Sequence, residues 1–208
     1  MRNTIKRCIK KIHALTIHTN RVSTISNILI QNIPLDVASV LDIGCGDGLI
    51  SATIQKSRNG LVYTGIDVME RPKCEINYQS FDGIHIPFEE NTFDAVQLID
   101  VLHHVDDINN VIENALKYTR KYIIIKDHIF ANQLDFQTLK FMDWIGNAPH
   151  GVKVIYNFQT EKKWEEIFRN HHLSKCFYNN QIKLYPKFAN WIFGRKLHFI
   201  AILNIKNK

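Results

Sequence analysis

The stretch Val40-Leu41-Asp42-Ile43-Gly44-Cys45-Gly46-Asp47-Gly48 decides the fold of this chain. Residues 39–43 form a short apolar run that is typical of a buried strand, and three glycines at alternate positions end it. A segment that favours a helix follows at 49–56. Strand, glycine turn and helix in this order build the ligand site at the first crossover of an open α/β sheet, where glycine lets a ligand lie against the backbone.

The spacing of the glycines and the acid before them indicate the charge of the ligand. The dinucleotide fingerprint G-x-G-x-x-G would need its third glycine at Leu49, whereas here that glycine comes early, at Gly48. The carboxylate of Asp42, two positions before Gly44, would repel a pyrophosphate but would attract a cationic ligand. The pattern D-x-G-x-G-x-G resembles motif I of the class I S-adenosylmethionine (SAM)-dependent methyltransferases, whose ligand carries an ammonium and a sulfonium group. The resemblance implies SAM as cofactor, S-adenosylhomocysteine (SAH) as product, and cofactor binding by Asp42, Gly44, Gly46 and Gly48.

The second predicted strand, at 61–66, ends at an acid. In doubly wound sheets an acid at this distance after the glycine loop accepts hydrogen bonds from ribose hydroxyls, so we expect Asp67 to bind the ribose. The alternative is that Asp67 only caps a loop or helix.

Residues 80–88, followed by Phe93-Asp94, resemble the D-G-x-x-L-P-F … F-D stretch of the small-molecule methyltransferases. This group, methyltransferase type 11, includes the ubiquinone- and menaquinone-biosynthesis enzymes. In it, the acid at the position of Asp82 reaches the adenine amino group, and a neighbouring backbone N–H reaches a ring nitrogen. The resemblance implies that Val68, Phe81, Asp82 and Gly83 lie beside the cofactor, although Asp82-Gly83 also suits a simple turn.

Strands and helices alternate along the chain, and its 208 residues are enough for one domain with an ample core. We predict an α/β fold with a single, doubly wound, Rossmann-like, seven-stranded sheet and helices on both faces. The family resemblance implies that the last strand is antiparallel. Residues 1–35 would form a basic helical cap, and 36–208 the SAM-dependent methyltransferase domain, with an aromatic-rich insert at about 130–160 over the carboxyl edge of the sheet.

Methyl transfer needs alignment of the acceptor, and a hydroxyl acceptor also benefits from a general base. Histidine suits that role, and ligands bind where parallel strands end, so the candidate catalytic residues are His128, His150 and His104. Each has an alternative role. Adjacent histidines on a helix point in different directions, so at most one of His103 and His104 would face the site, and packing suits His104 better. His128 beside Asp127 is either a base oriented by a carboxylate or a hydrogen-bonded loop residue.

No metal site is predicted, because the chain lacks H-E-x-x-H and paired-cysteine spacings. Asp100 and Asp127 could hold Mg²⁺, as in catechol-type O-methyltransferases, but a third oxygen ligand is not apparent.

The charge distribution is uneven. Residues 1–35 carry six basic and no acidic side chains, 167–208 carry eight basic and no acidic ones, and all 20 acids lie between Asp36 and Glu166. Such ends suit an anionic partner, such as a membrane surface, an acyl carrier protein or a phosphorylated substrate. Nucleic acid is not expected, because the segment after strand four lacks the Pro-Pro-aromatic motif of base-amino methyltransferases and no RNA-binding module is visible.

The four cysteines show no C-x-x-C pairing, and no apolar run approaches a membrane span or a signal peptide. We therefore expect a cytoplasmic protein with reduced thiols, with a peripheral membrane contact as a further option.

The predicted function is SAM-dependent methyl transfer to a small acceptor, aromatic or polyketide/lipid-like, with oxygen before carbon as the methylated atom. The alternatives are an RNA methyltransferase that uses the basic ends, or a non-catalytic partner protein that keeps the fold.

Overall fold

Seven strands form one mixed sheet in the computed structural model, which describes residues 18–147, 155–184 and 195–205. The strands are β1 (Ser39–Ile43), β2 (Val62–Asp67), β3 (Asn77–Ser80), β4 (Phe93–Ile99), β5 (Thr119–His128), β6 (Leu173–Asn179) and β7 (His198–Ile205). Their order is β3-β2-β1-β4-β5-β7-β6. The first five strands pair in parallel, and β7 is antiparallel to β5 and β6, so the predicted sheet and its antiparallel last strand are confirmed.

Five helices of the described residues flank or connect the strands, and the second of them lies where the sequence predicts a helix, at 49–56. They are α1 (residues 18–32), α2 (Leu49–Ser57), α3 (Ile108–Tyr118), α4 (Gln133–Asn147) and α5 (Glu161–Asn170), with a single 3₁₀ turn at Leu102–His104. Side-chain caps define two of the starts. The carboxylate of Asp107 accepts from the backbone N–H groups of Asn109 and Asn110, and the hydroxyl of Thr160 accepts from Lys163 N.

Helices cover both faces of the sheet, because alternate side chains of each inner strand point to opposite faces. On one face α1 and α2 pack on the sheet through residues such as Ile25 and Ile54. On the other face α3 and α5 pack through Ile112 and Trp164. Neighbouring strand residues divide between the two cores, with Val40, Ala95 and Ile124 in the first and Leu41, Val96 and Ile125 in the second. The doubly wound prediction is therefore confirmed.

The carboxyl ends of β1, β2, β4 and β5 meet at one edge, because these strands are parallel. The glycine loop follows β1, Asp67 ends β2, and His128 ends β5. The antiparallel β7 begins at the same edge, where His198 is in register with His128. Polar residues that are far apart in the sequence thus gather at one edge of the sheet.

Two predicted segments fall partly outside the described residues. These are the basic cap, of which 1–17 are not described, and the insert, of which 148–154 are not described, so His150 has no structural account. Among the described helices, none combines the length and the apolar character that crossing a membrane requires.

Candidate functional site

Three glycines shape the loop after β1, and each has positive φ: Gly44 at 73°, Gly46 at 58° and Gly48 at 71°. A Cβ built on Gly44 would lie 2.5 Å from Cγ2 of Val101, and one on Gly48 would lie 2.7 Å from Sγ of Cys74. A Cβ on Gly46 would meet nothing within 4 Å. Two of the glycines are therefore needed for close packing, whereas Gly46 exposes its backbone to open space where a ligand fits.

Asp67 lies directly behind this loop and is 3% exposed. Its Oδ2 accepts a hydrogen bond from Gly46 N at 2.9 Å, and its Oδ1 accepts one from Met69 N at 2.9 Å. Nη2 of Arg71 also donates to Oδ2, at 2.9 Å. Groups of the chain itself thus already bind the carboxylate that is predicted to contact the ribose.

Asp42 is a buried residue of β1, and its side chain faces α2. Its Oδ2 accepts a hydrogen bond from the hydroxyl of Ser51 at 2.6 Å, and that hydroxyl accepts one from Nε2 of Gln97 at 2.9 Å. The other carboxylate oxygen, Oδ1, is buried without a hydrogen-bond partner. Burial raises the pKa of Asp42 to about 6.

The loop after β3 forms the other side of the predicted cofactor site. Oδ1 of Asp82 accepts from Ile84 N and His85 N, and its Oδ2 lies 2.7 Å from Nδ1 of His85. These hydrogen bonds hold the pKa of Asp82 well below its usual range. Val68 is 62% exposed, and a Cβ on Gly83 would lie 3.2 Å from its Cγ1, so the two form an apolar border.

These features fit SAM. The open space at Gly46 suits the backbone approach of the ligand, the carboxylate of Asp67 suits ribose hydroxyls, and the apolar border of Val68 and Gly83 suits a purine ring.

A dense group of ionisable side chains lies at the ends of β4 and β5 and the start of β7. We call it the histidine–carboxylate cluster; it comprises Asp100, His103, His104, Lys126, Asp127, His128 and His198. Lys126 and His198 are buried at 1% and 3% exposure, and burial of so many charged groups requires that they neutralise one another.

Asp127 is the centre of this cluster and is fully buried. Its Oδ1 accepts a hydrogen bond from Nδ1 of His103 at 2.8 Å and one from His128 N at 2.7 Å. Its Oδ2 accepts one from Leu102 N at 3.0 Å. Nδ1 of His128 lies 3.2 Å from Oδ1 of the same carboxylate. Asp127 therefore orients two imidazoles and fixes the 3₁₀ turn.

Asp100 is paired with two cations, Lys126 and Arg21. Burial disfavours its charge, but these cations outweigh burial and hold the pKa of Asp100 well below its usual range. Arg21, one of the basic residues of the N-terminal segment, is thus engaged inside the fold. The two carboxylates considered for Mg²⁺, Asp100 and Asp127, both already bind cationic or N–H groups.

The imidazoles of the cluster differ in protonation. Burial opposes the charge of His103, but the carboxylate of Asp127 outweighs it and raises the pKa of His103 to about 10. Burial and the positive charges of His103 and Lys126 lower the pKa of His128 to about 4. Burial and the charge of His103 also lower the pKa of His104. The pKa of His103 is therefore shifted in the opposite direction from those of its two neighbours.

The insert contributes directly to this side of the site. Oδ1 of Asp143, on α4, lies 3.6 Å from Nε2 of His103 and 3.8 Å from Nε2 of His104. The ring of Phe158 stacks on His103 with centroids 5.4 Å apart and lies edge-on to His128 at the same distance. Phe141 and Trp144, also on α4, are about half exposed.

In the structure His104, His128 and the glycine loop lie at one edge of the sheet, and several members of the cluster were not predicted from the sequence. We expected at most one of His103 and His104 to face the site, but both approach Asp143, because a 3₁₀ turn follows β4. Lys126 and His198 look like ordinary strand residues in the sequence. One feature of the sequence could have indicated Lys126: a lysine at the end of the apolar run 122–126 would be buried and would need a charged partner.

Comparison with known proteins shows to which proteins this chain is similar. A ubiquinone biosynthesis O-methyltransferase of Coxiella burnetii is 33% identical over 95 residues, which is 40% of this chain and 40% of that protein. The chain spans about half or less of the length of the curated relatives of this name.

Two solved structures share the fold. The methyltransferase complexed with the Trm112 activator of Haloferax volcanii superposes with a TM-score of 0.65 at 11% identity, covering 91% of this chain and 92% of that one. Magnesium protoporphyrin IX methyltransferase of Synechocystis, solved with bound SAH, superposes with a TM-score of 0.61 at 15% identity, covering 92% and 84%.

Residues 5–174 match the family model described as methyltransferase domain. This match covers most of the chain, and the sheet order and glycine loop agree with it. The chain belongs to the methyltransferase-domain family and has the fold of the SAM-dependent enzymes.

Proposed function

We propose that this chain transfers the methyl group of SAM to a hydroxyl of a small-molecule acceptor. The observation that carries this proposal is the position of the histidine–carboxylate cluster. It lies at the same sheet edge as the glycine loop, with Asp127 hydrogen-bonded to His103 and 3.2 Å from Nδ1 of His128. A cofactor loop and a set of oriented imidazoles side by side are what methyl transfer to oxygen needs.

The cofactor side consists of the glycine loop with Asp42, together with Asp67, Val68, Phe81, Asp82 and Gly83. Gly46 offers backbone for the amino-acid part of the ligand, and Asp67 offers a carboxylate for the ribose hydroxyls. Arg71 must release Asp67 for that contact. When bound, SAM supplies an electrophilic methyl group, whose C–S bond breaks as the electron pair stays on sulfur and SAH forms.

His128 is the proposed base. The acceptor oxygen would give up its proton to this imidazole as the new O–C bond forms, and the proton would then leave to solvent. Asp127 orients the ring, because its Oδ1 lies 3.2 Å from Nδ1 and also accepts the backbone N–H of His128 at 2.7 Å. The His128 side chain is 12% exposed, so it can reach a bound acceptor. His104 and His150 stay as predicted alternatives for this role.

An apolar, aromatic or lipid-like acceptor is supported by the aromatic side chains of the insert. Phe158 contacts the imidazoles of His103 and His128, and Phe141 and Trp144 have exposed faces on α4. The name of the Coxiella burnetii relative, a ubiquinone biosynthesis O-methyltransferase, is in line with such an acceptor. A partner at the basic ends, whether a membrane surface or an acyl carrier protein, stays a prediction.

Calorimetric titration of ligand-free protein with SAM and SAH, followed by a screen of phenols, quinols and carrier-bound acyl chains with methyl-labelled SAM, tests the proposal. We expect binding of both nucleosides and label transfer to a hydroxyl. Failure of well-folded protein to bind either nucleoside would refute it and favour a non-catalytic partner protein. Salt-sensitive RNA binding with label transfer to RNA would favour the RNA methyltransferase instead.

A further inference from the structure

We propose that His103, His104 and Asp143 form a binding site for one divalent transition-metal ion of the Zn²⁺ type. Nε2 of His103 and Nε2 of His104 lie 3.6 and 3.8 Å from Oδ1 of Asp143. The three residues each offer one ligand atom within 4.8 Å of the other two. Two imidazoles and one carboxylate are a donor set that suits zinc, iron, cobalt or manganese.

The distances from Oδ1 of Asp143 to Nε2 of the two histidines fit joint coordination of a metal ion better than direct hydrogen bonds. Bonds of about 2.0–2.2 Å in a tetrahedral site place neighbouring ligand atoms roughly 3.3–3.6 Å apart. The separations of 3.6 and 3.8 Å are close to that range, so small side-chain rotations suffice to bind an ion. Hydrogen bonds between nitrogen and oxygen are usually about 2.7–3.2 Å long, which is clearly shorter.

Asp127 prepares His103 for this role. It accepts the Nδ1–H of His103 at 2.8 Å, which directs the opposite ring nitrogen, Nε2, toward Asp143, and an ion that binds there releases the Nε2 proton to solvent. Asp127 is itself held by Leu102 N and His128 N. A buried carboxylate behind a histidine ligand fixes its tautomer and increases its basicity, as second-layer groups of metal sites do.

A second group of ligand atoms, from Asp100, His103, Asp127 and His128, is less suited to a metal. The carboxylate of Asp100 already forms ion pairs with the ammonium group of Lys126 and the guanidinium group of Arg21. Those cations would repel an ion there. At Asp143 the contacts with His103 and His104 come from imidazole nitrogens, which can themselves bind an ion, and the Asp143 side chain is 5% exposed, so its charge is poorly screened.

The site has one accessible side. The His104 side chain is 23% exposed, whereas those of His103 and Asp143 are nearly covered. With three protein ligands, a fourth position stays open for an oxygen of the acceptor. Resting on the proposed function, this site would bind an acceptor whose hydroxyl ionises readily, such as a phenol or enol, because a divalent ion lowers the pKa of a coordinated hydroxyl. The ion would also attach α4 to the 3₁₀ turn.

The test is calorimetric titration of the tag-free, EDTA-stripped 208-residue chain with ZnCl₂, and measurement of the visible spectrum with CoCl₂. We expect one equivalent of Zn²⁺ to bind and Co²⁺ to give the absorption of a tetrahedral site. Asp143→Asn and His104→Gln should each weaken Zn²⁺ binding by at least about a hundredfold, and Asp127→Asn by about ten- to a hundredfold.

The matched control is the other adjacent histidine pair. His171 and His172 lie after α5, and we expect the double variant His171→Asn/His172→Asn to bind Zn²⁺ as the wild type does; asparagine also tolerates the φ of 55° at His172. Undiminished binding in both His104→Gln and Asp143→Asn, or loss of binding in the control, would overturn the site. So would the absence of Zn²⁺ binding in wild-type protein.

Two further measurements keep these results interpretable. Circular dichroism must show that each variant is folded. If one of the two ligand variants, His104→Gln or Asp143→Asn, does not fold, the other still tests the site. SAM titration of the same samples separates the two proposals. Zn²⁺ binding without SAM binding would support the metal site and refute the proposed function. SAM binding without Zn²⁺ binding would refute the metal site and leave the proposed function standing.

Discussion

Nη2 of Arg71 lies 2.9 Å from Oδ2 of Asp67, on the carboxylate that stands where the ribose of SAM is expected. Besides its proposed role as a ligand group, Asp67 has a structural role, because Gly46 N and Met69 N also donate to it. Complete removal of its side chain would leave these backbone donors without their acceptor. A variant that keeps an oxygen acceptor is therefore the informative one.

Asp67→Asn should weaken SAM binding by roughly ten- to a hundredfold, since a hydrogen bond to a charged acceptor contributes about 1.5–3 kcal/mol. The fold should persist, because the amide oxygen can still accept from Met69 N. Calorimetric titration with SAM measures the effect. Unchanged affinity would remove Asp67 from the cofactor site.

Arg71→Gln is the companion variant. It frees Asp67 from the guanidinium group that pairs with it, so SAM affinity should stay the same or increase. The same titration checks this. If Arg71→Gln weakens binding as much as Asp67→Asn does, then Arg71 is itself a ligand group and our account of the pair is wrong.

His128→Gln should lower the rate of methyl transfer by about a hundred- to ten-thousandfold, the usual contribution of a general base, without changing SAM affinity. Single-turnover rates with an acceptor found in the screen, together with SAM titration, separate the two effects. His171→Asn, a change in an imidazole that lies after α5, is the control and should keep the wild-type rate. An unchanged rate in His128→Gln would mean that another group takes the proton.

Gly44→Ala and Gly46→Ala should differ in what they disturb. Both force a side chain into positive φ, which costs about 1–2 kcal/mol in the free energy of unfolding. Gly44→Ala also brings a Cβ to 2.5 Å from Cγ2 of Val101, so its free energy of unfolding should fall by a further ~1–3 kcal/mol. Urea unfolding measures both.

A Val101→Ala change in the Gly44→Ala background should recover most of that further loss, because it removes the atom that the new Cβ meets. Gly46→Ala should instead weaken SAM binding, since its Cβ points into open space at the loop. Equal stability of the two single variants, or no recovery in the double one, would contradict this reading of the loop.

Asp42 predicts a pH dependence of stability. Its pKa is raised to about 6 in the folded protein, so the native state holds the proton more tightly than the unfolded chain does. The folded state gains its full stabilisation from this proton below about pH 4 and loses it as the pH rises to about 6. At about 1.4 kcal/mol per pKa unit, the stabilisation is at most roughly 3 kcal/mol.

Asp42→Asn removes this titration while other groups still titrate. The difference in unfolding free energy, wild type minus Asp42→Asn, should therefore fall between about pH 4 and pH 6 and level off above it. Urea unfolding at several pH values gives the difference. A constant difference across this range would show that Asp42 has an ordinary pKa.

Much of the fold can be predicted from the sequence because its signals are local. The apolar runs of β1, β4 and β7, the glycines after β1 and the amphipathic pattern of α5 depend on neighbouring residues alone. The family resemblance added the antiparallel strand, which periodicity cannot show. The predicted cofactor positions are local too, since Gly46 belongs to the glycine motif and Asp67 is the acid that ends the next strand.

The acceptor side is different, because its members come from distant segments. Asp127 follows from its place at the end of a strand, but its hydrogen bond to His103 depends on a 3₁₀ turn that linear patterns do not indicate. The candidate metal ligands show the same limit, since His103 and His104 precede Asp143 by about 40 residues, far outside any local spacing motif.

The sequence by itself determined the order of strands and helices, the glycine loop and the class of cofactor, since each depends on local propensity and a contiguous motif. Only the tertiary structure decided which charges neutralise one another at the carboxyl edge. Parallel pairing brings the ends of β4 and β5 together, and antiparallel β7 adds His198 beside Lys126. Buried charges need partners in space, and the fold alone supplies these partners.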